Sequence, residues 1–315
     1  MLGYSLKDRG FHEKNSEITA RAASIAVEQI LNKYHKGKVH SVFNNSLNLQ
    51  IGERLVHIGP LDNGLAPFGV GLSQNDAQKL LGIARREQQV TWNASAKCFV
   101  FTGGRTVSLK QVKWTNHLLQ KSRFDAVILT NNRKLLANRM NETKWETGLA
   151  QTADDQKRIM DYLSESSQKW NHPIINKMAE LISLTRDEKQ IISEAVFNYW
   201  IGRGIGLTPS GDDVLTGMCA ALSVLGGLTT CFQEQLKTYL LEKGLKRTTP
   251  IGYEYLYYAV EKHYHTHLLE MCMALIKRQK TDLLTALEAM KKIGHTSGAD
   301  TMIGVLLGIK AMNSE

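Results

Sequence analysis

The chain has 315 residues, with 39 Lys and Arg against 30 Asp and Glu and a formal net charge of +9. That length favours two domains at ~100–200 residues each, and 43% hydrophobic with 22% charged residues and 5 Pro excludes a collagen-like or disordered chain. The positive charge is scattered without a dense Lys/Arg run, so it points to small anions rather than to nucleic acid or a membrane surface.

Cys98, Cys219, Cys231 and Cys272 form no CxxC pair and lack zinc-ligand spacing, which fits a reducing cytosol. Lys7, Asp8 and Arg9 follow Met1 without an apolar segment, so no secretory signal is expected and the chain reads as cytoplasmic.

From the N-terminal end, Ile18, Ala22, Ile25, Ala26, Ile30 and Leu31 make a helical stripe over Ser16 to Lys36, with Gly37 as its stop. The period then changes. Val39 to Phe43, Leu47 to Ile51 and Leu55 to Ile58 alternate and are separated by Asn-Asn and Gly-Glu turns, so they read as antiparallel strands. Ala66 to Leu72 reads as a further strand, and Lys97 to Phe101, Gly103-Gly104 and Thr106 to Leu109 make a hairpin. Asp125 to Leu129 is the last expected strand.

Helices are then expected over Ala153 to Trp170, Ile174 to Leu184, Asp187 to Arg203, Gly211 to Leu225, Phe232 to Leu241, His267 to Arg278, Leu283 to Ile293 and Gly298 to Met312. Val214 to Phe232 carries no charge and approaches the ~20 residues of a membrane span, but the Gly226-Gly227 pair marks a helix stop, so a buried helix is expected. Strands followed by helices give an α+β fold: a β-rich domain with an N-terminal helix over residues 1–140, and a helical domain over 141–315. The boundary is placed between Asn131 and Thr152, where polar residues cluster.

Two glycine-rich turns open apolar helices. In Gly204-Ile205-Gly206-Leu207-Thr208-Pro209-Ser210-Gly211-Asp212-Asp213, backbone N–H groups, the Thr208 and Ser210 hydroxyls and a helix dipole favour an anion around Gly206 to Gly211. Gly211 is followed by Asp rather than Lys, so this is not a Walker A loop. Asp212 and Asp213 would repel an anion unless a cation, a proton or a substrate N–H stands between them. The plainer alternative is that Ser210 or Asp212 caps the helix.

The second turn, Gly294-His295-Thr296-Ser297-Gly298-Ala299-Asp300, repeats the pattern SGxDxxxG, with Gly304 in the place of Gly217. Glycine one turn inside each helix allows close approach, so the two helices are expected to pack together with both mouths on one site. His295, an imidazole in the turn itself, is the acid–base candidate; Asp300 would orient it, hold a substrate amide or bind a cation.

Arg247-Thr248-Thr249 offers a cation and hydroxyls to a phosphate, or forms an ordinary exposed turn. Asn63 to Gly69 is either a loop over a ligand or a plain turn. His263 and His267 have the four-residue spacing of some zinc sites but no third ligand, so His263, His265 and His267 read as a solvated cluster.

The segments GLTPSGDDVLTG (Gly206 to Gly217) and GHTSGADTMIGVLLG (Gly294 to Gly308) resemble the signatures of the AllH-type subunit family of oxamate carbamoyltransferase, a transferase of allantoin degradation and purine catabolism. The likeness extends more loosely over the first half. It implies a multisubunit enzyme with an FdrA-like subunit and a second companion. The implied reaction interconverts oxalurate plus phosphate and oxamate plus carbamoyl phosphate.

On that resemblance Asp212, Asp213, His295 and Asp300 are the catalytic candidates. Gly206, Thr208, Ser210, Gly211, Thr248, Thr249, Thr296, Ser297 and Gly298 are the anion-binding ones. No cofactor is implied. Two alternatives stay open: a scaffold or sensor subunit for a phosphate metabolite, and a Mg²⁺-dependent hydrolase using Asp212, Asp213 and Asp300.

Overall fold

The computed structural model describes residues 17–165, 171–186, 193–226 and 229–313. It is an α+β molecule, with a β-barrel over residues 18–115 followed by helices from residue 126 onward.

The barrel strands are β1 (Ile18–Ser24), β2 (Lys36–Val42), β3 (Leu47–Ile51), β4 (Arg54–Pro60), β5 (Gly69–Leu72), β6 (Gln89–Asn93), β7 (Cys98–Phe101), β8 (Thr106–Ser108) and β9 (Lys113–Thr115). They run in the order β5-β4-β3-β2-β6-β7-β8-β1-β9, and antiparallel pairing of β1 with β5 closes the sheet. Closure leaves the short β9, paired with β1 alone among the described strands, at an edge. Val39, Leu49, Ile51, Val56, Val70 and Phe99 fill the interior, each essentially without exposure.

Two expectations are corrected here. Ser16 to Lys36 is not one helix: β1 occupies Ile18–Ser24 and the helix α1 only Ile25–Lys33, capped by the Ser24 hydroxyl. Ile18, Ala20 and Ala22 lie at strand spacing as well as at helix spacing, and pairing with β5, β8 and β9 decides for the strand. A second helix, α2 (Gln74–Ile83), capped by Ser73, lies between β5 and β6.

Asp125 to Leu129 is likewise not a strand. Asp125 accepts from the amides of Val127 and Ile128 and starts α3 (Ala126–Glu142). The helices continue as α4 (Ala153–Ser164), α5 (Pro173–Leu184), α6 (Ser193–Trp200), α7 (Ser210–Leu225) and α8 (Thr229–Tyr239), then a π-helical turn at Leu240–Gly244. After it come α9 (Leu245–Arg247), α10 (Pro250–Val260), α11 (Thr266–Leu275), α12 (Lys280–Met290) and α13 (Ser297–Asn313). The expected helical stretches 166–170 and 187–192, and Gly227, lie outside the described residues.

Helices α7 and α13 form the centre of the helical core. Every residue of α7 is buried, and the helix ends at Gly226 with φ +70°. The glycines expected to bring the pair together do so: a Cβ on Gly217 would overlap the Thr301 carbonyl, and one on Gly304 the Val214 carbonyl. No helix among the described residues is long and apolar enough to cross a membrane.

The barrel and the helices share a seam. Arg54 of β4 pairs with Glu254 of α10 at 2.9 Å and lies 3.5 Å from the centre of the Tyr257 ring. Phe68 packs on Tyr255 and Tyr258 at 5.0 and 5.4 Å between ring centres. The 61–68 loop is fastened to the start of α11, because the Leu65 amide donates to Thr266 Oγ1 at 2.9 Å.

Candidate active site

A cavity of about 950 Å³ opens along this seam. The barrel contributes Phe43 to Ser46, Asn48, His57, Asn63 and Phe68; the helical half contributes both glycine-rich turns, Asp213, Thr216 and Tyr255.

The two SGxDxxxG segments are built the same way. Gly211 presses against the Trp200 carbonyl and Gly298 against the Met290 carbonyl, approaches that a Cβ would forbid. Their aspartates then cross over. Ser297, of the second segment, lies beside Asp213 of the first, and Ser210, of the first, lies beside Asp300 of the second. Each hydroxyl favours the ionised form of the acid opposite it.

The aspartates differ in what else they meet. Asp300 also accepts from the Thr147 hydroxyl and, at 3.3 Å, from the Gly148 amide. Asp212 accepts from the Gly202 amide at 2.8 Å and from the Thr248 hydroxyl. Asp213 keeps one oxygen, Oδ2, buried and without a hydrogen-bond partner among the described residues, as does the hydroxyl of Thr216 one turn along α7. Both residues line the cavity.

Burial, and next the charge of Asp300, push the Asp213 carboxyl well above the ordinary carboxylate range. Burial raises Asp300 as well and lifts Asp212 to about 6, both against opposing hydrogen bonds. Burial thus favours the protonated form of Asp213. The conflict between an anion site and paired carboxylates is resolved by a proton: a neutral acid donates to an anionic oxygen instead of repelling it.

The remaining residues fall into three groups. Gly206, Thr208, Thr296, Ser297 and His295 line the cavity, with His295 exposed at its mouth and Thr208 Oγ1 2.9 Å from Ser297 Oγ. Ser210, Gly211, Gly298, Asp212 and Asp300 lie behind that surface and hold the two helix starts in place. Thr248 and Thr249 serve the frame, since Thr249 caps α10 and its hydroxyl donates to the Leu207 carbonyl.

The first-turn amides of α7 are used internally. Gly211 N donates to Arg203 O at 2.9 Å, while Asp212 N and Asp213 N donate to Pro209 O at 2.9 and 3.1 Å. Hydroxyls and an acid, rather than backbone N–H groups, face the cavity from this helix.

Among the described residues no three His, Cys, Asp or Glu side chains converge to hold a metal ion. The histidine cluster is not solvated as expected. His263 and His265 stand half-buried in the cavity wall before α11, and His267 lies in its first turn with its ring 5.1 Å from that of His265.

Sequence reading missed Asn48, His57, Thr216 and Tyr255, which complete the cavity wall. The first two had a signal: a polar residue recurs at partnered positions of adjacent apolar strands.

Residues 200–309 match the family described as oxamate carbamoyltransferase subunit AllH, and residues 18–117 match the AllH family N-terminal domain. The chain belongs to the AllH family. Both SGxDxxxG segments lie inside the first match, and the barrel strands β1 to β9 inside the second. The family name makes the protein a subunit of a carbamoyltransferase, and so part of a multisubunit complex. No solved structure matches the chain.

Proposed function

We propose that this chain carries the transfer site of a carbamoyltransferase that interconverts oxalurate plus phosphate and oxamate plus carbamoyl phosphate. Its companions would be an FdrA-like subunit and a second subunit, in the cytoplasm, serving allantoin breakdown. One observation carries the reading: Asp213 is a buried acid with an unpartnered oxygen, set among the hydroxyls of Thr208, Thr216 and Ser297 on the cavity wall.

In the phosphorolytic direction a phosphate oxygen attacks the ureido carbon of oxalurate. The C–N bond to the oxamate nitrogen breaks, that nitrogen takes a proton, and carbamoyl phosphate and oxamate result. Asp213, whose protonated form burial favours, donates the proton to the departing nitrogen and is reprotonated by the proton that the phosphate hydroxyl releases as its oxygen bonds to carbon; the reverse reaction retraces both transfers.

The hydroxyls of Thr208, Thr296 and Ser297 receive substrate oxygens, with Lys292 supplying positive charge at the cavity edge. Asp212 and Asp300 keep the two helix starts in position and do not touch substrate. His295 stands exposed at the mouth.

The test is Asp213→Asn in the assembly reconstituted with its companion subunits, given oxalurate and phosphate. Carbamoyl phosphate formation should fall at least ~10²-fold, the usual scale for loss of a general acid, while circular dichroism and elution volume stay unchanged. An active variant removes Asp213 from the reaction.

A further inference from the structure

Strands β2, β3 and β4 lay polar side chains in a row across the barrel wall. Ser41 is registered opposite Asn48, and Asn48 opposite His57, so the three side chains share one face. The Asn48 amide nitrogen donates to Ser41 Oγ at 3.1 Å, and Ser41 in turn lies 3.2 Å from Nδ1 of His40. This turns the Asn48 carbonyl oxygen toward Nδ1 of His57, 2.9 Å away.

A carbonyl oxygen only accepts, so Nδ1 of His57 bears the hydrogen. In a neutral imidazole the lone pair then sits on Nε2. Burial keeps His57 neutral, lowering its pKa to about 4. Asn48 is itself 2% exposed, and the strand register sets it between Ser41 and His57. No described residue donates to His57 Nε2, and His57 belongs to the cavity wall.

The cavity thus offers a hydrogen-bond acceptor from the barrel and, in Asp213, a donor from the helices. An amide next to a carboxylate needs that combination: an N–H to give and oxygens to receive. We infer that His57 determines specificity at this site, its Nε2 accepting from a ligand amide N–H so that the cavity selects an amide over the isosteric carboxylate. The inference rests on the carbamoyltransferase reading and deepens it. A carboxylate in place of the amide would set lone pair against lone pair and leave both groups without a partner.

Oxamate and oxalate differ only by NH₂ against O⁻, so they are the probes. Titration calorimetry on the full chain should show oxamate bound roughly 10–100-fold more tightly than oxalate. In His57→Phe the preference should shrink to within about threefold, with oxalate affinity unchanged. Asn48→Asp, which places a carboxylate against Nδ1 and favours a proton on Nε2, should reverse the preference toward oxalate.

Nitrogen NMR of the free protein supplies a readout that needs no ligand: His57 should be the Nδ1–H tautomer and stay neutral at pH 6. An Nε2–H tautomer overturns the inference. Oxamate preference that persists in His57→Phe overturns it and leaves the carbamoyltransferase reading standing. Failure of wild type to bind either probe sinks that reading of the cavity, and this inference with it.

Discussion

Replacing Gly217 by Ala tests whether the close approach of α7 and α13 holds the molecule together. The new Cβ would stand 2.8 Å from the Thr301 carbonyl carbon and 3.0 Å from the Val305 amide nitrogen, closer still to the Thr301 oxygen. Non-bonded carbons rest at roughly 3.5–4.0 Å, so the helices must part by on the order of 1 Å. These are backbone atoms that no rotamer change can move aside.

A gap of that size forfeits about a quarter to a half of the dispersion between facing atoms. The fully buried side chains of Val214, Met218 and Val305 lie along the seam. Overpacking of this kind is worth roughly 1–3 kcal/mol or more, and the helix-propensity gain of Ala over Gly returns up to about 1 kcal/mol. A net loss of roughly 1–2 kcal/mol should lower Tm by about 2–8 °C.

Gly82→Ala is the control, because a Cβ at this position in α2 meets nothing within 4 Å and only the propensity gain remains. Calorimetric melting of the two variants checks the reasoning. If Gly217→Ala melts as high as wild type, the two helices are not held at the separation described.

The other predictions concern buried polar groups. Burial outweighs the attraction of Arg54 and lifts Glu254 to about 7, so the folded state holds a proton that the unfolded state has already released. Stability from this group is complete below about pH 4.5 and is lost as pH rises through 7, by about 3 kcal/mol. Glu254→Gln should flatten the urea-unfolding curve between pH 5 and 8 relative to wild type, and an unchanged slope would contradict the assignment. Thr216→Val removes a buried hydroxyl that has no partner among the described residues; urea unfolding should find stability equal or up to about 1 kcal/mol higher, with weaker oxamate binding. A clear loss of stability would mean that the hydroxyl is bonded within the fold.

Local patterns carried a large part of this architecture, and their failures have physical reasons. Ser210-Gly211 and Ser297-Gly298 announce helix starts through residue chemistry alone, and Gly217 with Gly304 announces the crossing. Periodicity separates the barrel strands from the helices wherever one face is wet. It fails at Ile18–Ser24, where a strand rich in Ala is paired on both sides and only distant partners settle its state. It offers no assignment at Pro250–Val260, whose run of tyrosines packs as a helix against Phe68 and Arg54. The candidate site divides in the same way. The hydroxyls and acids of the glycine turns are legible along the chain, whereas Asn48 and His57 gain meaning only from strand register and from the helices that close the cavity over them.

A repeated motif invites the expectation of two equivalent sites, yet the copies have specialised. Thr147 and Gly148 occupy the Asp300 carboxyl, making that copy a keystone, while Asp213 keeps one buried oxygen without a partner among the described residues. The two copies are therefore alike in how they start a helix and unlike in what surrounds their acids.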